Sequence, residues 1–144
     1  MLRAKRRSTP VRAIVADRPM VIGIGLDLVE TARVERALER HGERFVRKLM
    51  DPEEARALPP GGPERARVLA LAVAGKEAAS KALWTGWSQG VRWRDVVVSM
   101  GPEAAIRLEG RAAEVARGLG SSGRGRARLE VRGPLAVAEF WLLS

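Results

Sequence analysis

The chain has 144 residues, enough for one domain with a real hydrophobic core. It holds no cysteine and one histidine, His41, which excludes disulfides, thiolate catalysis, Cys-type zinc sites and His-pair metal sites, and suits a reducing compartment such as the cytoplasm. A net charge of +9 points to an anionic partner, and no apolar run approaches the roughly 20 residues of a membrane span.

Residues 1–19 carry Arg3, Lys5, Arg6, Arg7, Arg12 and Arg18 against Asp17 alone, with no apolar segment of a secretory signal. They read as a basic N-terminal extension, either a flexible arm or residues upstream of a start at Met20, and the domain proper as 20–144. Few aromatics and no helix-turn-helix or RNA-binding motif accompany the charge, so nucleic acid is not the expected partner.

Met20–Leu28 is a β-rich apolar run ending at an acid. Gly23 and Gly25 inside it imply close approach of another backbone or of a ligand. Asp27 at the strand end is placed either for chemistry or as the N-cap of the adjoining helix. Val29–His41 has the apolar spacing of an amphipathic helix, with Val34, Ala37 and Leu38 inward and Arg33, Arg36 and Arg40 outward. Gly42 stops it, and Glu43–Met50 continues as a second helix bearing Arg44, Arg47 and Lys48. This basic surface is a solvated face or a docking surface for an acidic helix. His41, near a helix C-terminus, suits a favourable dipole contact better than catalysis.

Asp51–Pro63 begins a helical turn and then breaks on its prolines and glycines, so a loop is expected there. Glu64–Trp84 is the central helix, alanine-rich, with Gly75, Lys76, Glu77 and Lys81 set into its apolar body. Glu77 and Lys81 are four apart and share a face, whereas Lys76 and Glu77 project about 100° apart. The pair is either an ordinary ion pair or a metal-ligating carboxylate with a lysine beside it for a phosphate. Thr85–Gly90 is a loop suited to wrapping a ligand. Val91–Ser99 and Glu103–Leu108 form a hairpin, Gly110–Gly120 a short helix, Ser121–Arg126 a mobile turn, and Arg128–Arg132 pairs with Leu135–Leu143 across Gly133-Pro134. The class is α+β: a long central helix packed on a mostly antiparallel sheet.

Together, Asp27 and Glu77 would offer two hard oxygen ligands. Magnesium takes one or two carboxylates plus waters and substrate phosphates, and Lys81 would meet the phosphate bridged by the metal. That is the equipment of phosphoryl transfer, which works by positioning and charge neutralisation.

GIGLDLVETARV at Gly23–Val34 and GKEAASKALWTG at Gly75–Gly86 closely resemble the holo-acyl-carrier-protein synthase family, the small 4′-phosphopantetheinyl transferases. The resemblance covers about Val21–Leu143 and implies the phosphopantetheinyl transferase-like fold. It also implies a magnesium-dependent transfer of phosphopantetheine from coenzyme A to a serine of an acyl carrier protein, releasing 3′,5′-ADP. By the same resemblance Asp27, Glu77 and Lys81 are catalytic, with Asp27 and Glu77 on the metal. Lys76, Ser80, Thr85 and Gly86 bind coenzyme A, and Arg33, Arg40, Arg44 and Arg47 grip the acidic carrier protein. A homotrimer with active sites at subunit boundaries, serving fatty acid or polyketide biosynthesis, is likewise implied.

The chain departs from the family pattern in three places. Leu71–Gly75 stands where the family has G-R-F-A-A, Trp84 where it has glycine, and LEVRG at Leu129–Gly133 where it has V-S-x-S-H. These losses would weaken coenzyme A binding unless Arg92, Arg94, Arg128 or Arg132 substitutes. The alternative function is a divergent, non-transferring member that binds a carrier protein or acts on its acyl chain.

Overall fold

A computed structural model of the chain describes residues 18–144. All but the last two residues of the basic extension lie outside that range. The first strand, β1, spans Val21–Glu30, two residues longer than its sequence suggests, because Val29 and Glu30 still pair with the C-terminal strand. Asp27 therefore sits inside a strand, opposite Ala138, and the N-cap of the next helix is Glu30.

Helix α1 (Thr31–His41) buries Val34 and presents its arginines outward. Gly42, at φ 53, accommodates the turn that a side chain would disfavour, and α2 (Glu43–Leu49) follows. The expected loop at 51–63 contains a short helix, α3 (Pro52–Arg56). It is nucleated by a reciprocal capping box, Asp51 Oδ1 accepting from Glu54 N at 2.8 Å and Glu54 Oε2 from Asp51 N at 3.1 Å.

The central helix, α4, runs from Gly62 to Ala82. A stripe of alanines leaves it no polar side, and such a helix is stable only when covered on several faces. One face lies on the sheet. Gly23 and Gly25 of β1 permit that contact: a Cβ at Gly25 would stand 1.7 Å from the Ala78 carbonyl oxygen, and one at Gly23 2.0 Å from that of Ala82. The glycine pair thus serves close approach of a backbone, the first of the two alternatives raised by the sequence.

A 3-10 turn at Trp93–Asp95 precedes β2 (Val96–Met100), which pairs antiparallel with β3 (Ala104–Leu108). Helix α5 (Gly110–Gly118) leads to β4 (Gly125–Arg132) and β5 (Leu135–Leu143). The larger sheet has the order β1-β5-β4, all antiparallel, with β1 at one edge. On its inner face Ala136, Ala138, Phe140 and Leu142 are fully buried against α4. Its outer face carries Ile24, Leu26 and Leu28 in register with Trp141, Glu139 and Val137, and the three β1 side chains there are 52–58% exposed.

Candidate active site

Three elements meet beside the edge of β1. They enclose a cavity of about 930 Å³ whose walls include Asp27 from β1, Arg33 and His41 from α1, Arg44 and Lys48 from α2, and Glu77 and Lys81 from α4. The spacing that sets Glu77 and Lys81 on one helix face turns both toward β1, so Asp27, Glu77 and Lys81, 50 residues or more apart for the Asp27 pairs, line one space. Lys81 does not pair with Glu77. Its Nζ donates to Asp27 Oδ1 at 2.8 Å and to the Leu26 carbonyl at 3.0 Å, which leaves one of three N–H bonds for a ligand. Among the described residues no hydrogen bond or ion pair engages the Glu77 carboxylate.

This donor set suits magnesium. Among the described residues no group of three or more His, Cys, Asp and Glu side chains is placed to hold a metal ion, and the carboxylates that line this cavity are those of Asp27 and Glu77. Two carboxylates, with waters and phosphate oxygens completing the shell, is the usual arrangement for that ion, whereas zinc prefers nitrogen and sulfur ligands.

Of the other residues implicated by the sequence, Arg33 and Arg44 line the cavity, while Arg40 and Arg47 stand exposed on the same two helices outside it. Ser80 is buried, its hydroxyl donating to the Glu77 carbonyl at 2.8 Å, and Thr85 Oγ1 donates to the Gly86 carbonyl at 2.9 Å. Lys76 points the other way. It is fully buried, donating to the Glu54 carboxylate at 2.9 Å, to the Trp93 carbonyl at 3.1 Å and to the Val96 carbonyl. Glu54 in turn accepts from Val98 N at 2.8 Å. Within this chain Lys76 therefore binds the 3-10 turn and β2 to α3, and no ligand reaches it. Burial pushes its ammonium below the ordinary lysine value, with Glu54 acting in the opposite sense.

None of the four arginines that could substitute for the lost nucleotide contacts lines this cavity. Arg92 pairs with Asp95 at 2.9 Å, Arg94 Nε donates to the Arg47 carbonyl at 2.9 Å, and Arg128 and Arg132 flank Glu130 at 3.3 and 3.1 Å. Ala72, at the position of the family arginine, is itself buried and borders a separate, mostly apolar cavity of about 340 Å³ with Met50, Leu58 and Val68.

Trp84 has φ 64, in the left-handed region, which explains glycine at that position in the family pattern. A tryptophan there carries about 1 kcal/mol of backbone strain. Two residues of the site had no sequence signal that singled them out. Trp93 lines the cavity and stacks on Trp87 with ring centroids 4.0 Å apart, and Phe45 contributes an apolar wall. Glu54 was readable in principle, since Asp-x-x-Glu before a helical turn is a capping signal.

The 4′-phosphopantetheinyl transferase superfamily model matches residues 23–127. The holo-[acyl-carrier-protein] synthase of Halorhodospira halophila is 50% identical over 105 residues, spanning 72% of this chain and 82% of that one. That of Methylobacterium sp. is 47% identical over 114 residues, 78% and 83% of the two chains. Among solved structures, the Neisseria meningitidis holo-[acyl-carrier-protein] synthase superposes with a TM-score of 0.76 at 25% identity, covering 85% of this chain and 98% of that one. The Helicobacter pylori enzyme, solved in complex with coenzyme A, gives 0.69 at 25% identity over 83% and 98%. With two ordered motifs, the fold and up to half of the aligned residues in common with such enzymes, the chain belongs to the holo-[acyl-carrier-protein] synthase family of 4′-phosphopantetheinyl transferases.

Proposed function

We propose that the protein transfers 4′-phosphopantetheine from coenzyme A to a serine hydroxyl of an acyl carrier protein, with magnesium held by Asp27 and Glu77. The observation that carries this is the convergence of Asp27, Glu77 and Lys81 on one cavity with a basic rim. The serine oxygen forms a bond to the phosphorus that bears pantetheine, its proton passes to solvent water, and the phosphoanhydride bond breaks to release 3′,5′-ADP. Lys81, with one N–H unused, donates to a phosphate oxygen while Asp27 fixes the direction of its ammonium. Bound by the two carboxylates, magnesium supplies charge neutralisation at the same phosphate. Arg33 and Arg44 on the rim, with Arg40 and Arg47 beyond it, present positive charge to an acidic carrier-protein helix and raise the encounter rate. Carrier proteins of fatty acid or polyketide synthesis, met in the cytoplasm, fit this reading. A homotrimer fits it too, and the apolar outer face of the sheet supports association of copies.

Incubation with apo carrier protein, coenzyme A and magnesium should add one phosphopantetheine, read by intact-protein mass. Asp27→Asn and Glu77→Gln should each lower kcat by about a hundredfold or more. A wild-type protein that modifies none of a panel of carrier proteins overturns the proposal. A second reading, a carrier-protein-binding member without transfer, is favoured by the engagement of Arg92, Arg94, Arg128 and Arg132 elsewhere. Calorimetry separates the two: carrier protein bound without any coenzyme A binding selects the second.

A further inference from the structure

We infer that Trp84 is the stacking surface for the adenine of the coenzyme A nucleotide, an assignment that rests on the transferase reading above. Trp84 is 75% exposed, the most exposed of the large apolar side chains in the described residues, and it is held out in left-handed backbone. Nothing in the chain's own packing calls for an indole there. Its placement relative to the site does.

Along α4 the groups facing the edge of β1 come in a row: Glu77, then Lys81 one turn on, then Trp84 just past the helix end, where its N–H donates to the Lys81 carbonyl at 3.0 Å. Each reaches β1 at a different level. Lys81 meets the strand at Leu26 and Asp27, and Trp84 Nε1 lies 3.2 Å from the position a Cβ would take on Gly23. Three to four residues of strand separate these levels, about 10–13 Å. That is the reach of one nucleotide from its phosphates to its base. A ligand whose phosphates sit at Asp27, Glu77 and Lys81 and whose chain runs toward the start of β1 brings a base to the indole. A base offers a flat π-face, which an indole binds without needing a complementary charge. This meets the nucleotide from the base side, where none of the four candidate arginines lines the phosphate side.

The test titrates wild type, Trp84→Gly and Trp84→Phe with 3′,5′-ADP and, separately, with inorganic pyrophosphate, both with magnesium, by calorimetry. Sedimentation velocity is run on each protein. Glycine suits the left-handed backbone, so Trp84→Gly should melt no lower than wild type. Trp84→Gly is expected to bind 3′,5′-ADP about tenfold more weakly, the loss of one base–aromatic stack, with pyrophosphate unchanged and most of the affinity restored in Trp84→Phe. Equal 3′,5′-ADP affinity in wild type and Trp84→Gly overturns the inference and leaves the transferase reading standing. So does a change of assembly state with 3′,5′-ADP affinity retained, which would assign the indole to a contact between copies. A wild type that binds neither 3′,5′-ADP nor coenzyme A removes the transferase reading itself, and the inference with it.

Discussion

The ammonium of Lys76 lies wholly inside the protein on the carboxylate of Glu54, while the Glu77 carboxylate, one residue on, faces the cavity. A rotation of about 100° per residue is enough to send one charge into the core and the next into the site. Removing Lys76 leaves Glu54 buried without a counter-charge, so Lys76→Met should lower stability by about 3–5 kcal/mol, measured by urea denaturation. The pair also makes stability depend on pH in a defined direction. Burial sets the folded-state value of Lys76 below the ordinary 10.5, so between those two values the unfolded chain binds more protons. Wild-type stability, measured relative to Lys76→Met, should therefore rise with pH through the window that ends at the ordinary value. Below the folded-state value Lys76 is protonated in both states and its own contribution stops changing with pH.

At the scale of elements, the contact between β1 and α4 sets the site, because it brings Asp27 beside Lys81. It depends on the absence of side chains at Gly23 and Gly25. Gly25→Ala places a methyl group against the Ala78 carbonyl, a backbone atom that cannot swing aside. A loss of about 3 kcal/mol is expected by thermal or chemical unfolding, the range of severe overpacking. Coenzyme A affinity should fall in the surviving folded fraction, since Asp27 lies two residues along the displaced strand. On the proposed reading, helices α1 and α2 form the surface that meets the carrier protein. Arg44→Glu with Arg47→Glu should raise KM for carrier protein roughly tenfold and flatten its salt dependence, because exposed charges act mainly on encounter.

At the scale of the molecule, the two faces of the larger sheet contrast. The inner face is filled by α4, whereas on the outer face Ile24, Leu26, Leu28 and Trp141 stand 41–58% exposed in adjacent columns. This apolar column on β1, bordered by Glu139 and by the charged side chains of β4, has the mixed character of an association site. Leu26→Glu places a charge in the middle of the patch on a side chain that makes no core contact. On the proposal that copies associate through this face, it should shift the protein to monomer mass in sedimentation velocity while preserving its helical circular dichroism.

The order of helices and hairpins apart from α3, the buried character of the alanine-rich helix and the pairing of Leu135–Leu143 with Arg128–Arg132 were legible in the sequence, because apolar periodicity and turn residues act locally. Two motifs of fixed internal spacing also singled out Asp27, Glu77 and Lys81, which the fold brings to one cavity. Contacts between distant segments decided the rest. Local propensity could not say that Lys76 faces inward to Glu54 while Glu77 faces the cavity, nor that Lys81 pairs with Asp27 across the β1–α4 contact rather than with Glu77 on its own helix. The arginines that could grip the nucleotide read alike in sequence, and only the fold shows each of them engaged elsewhere. Helical and strand periodicity tells which side of an element is apolar, but which charge meets which depends on how the elements pack, and that is fixed by the sum of burial over the whole chain.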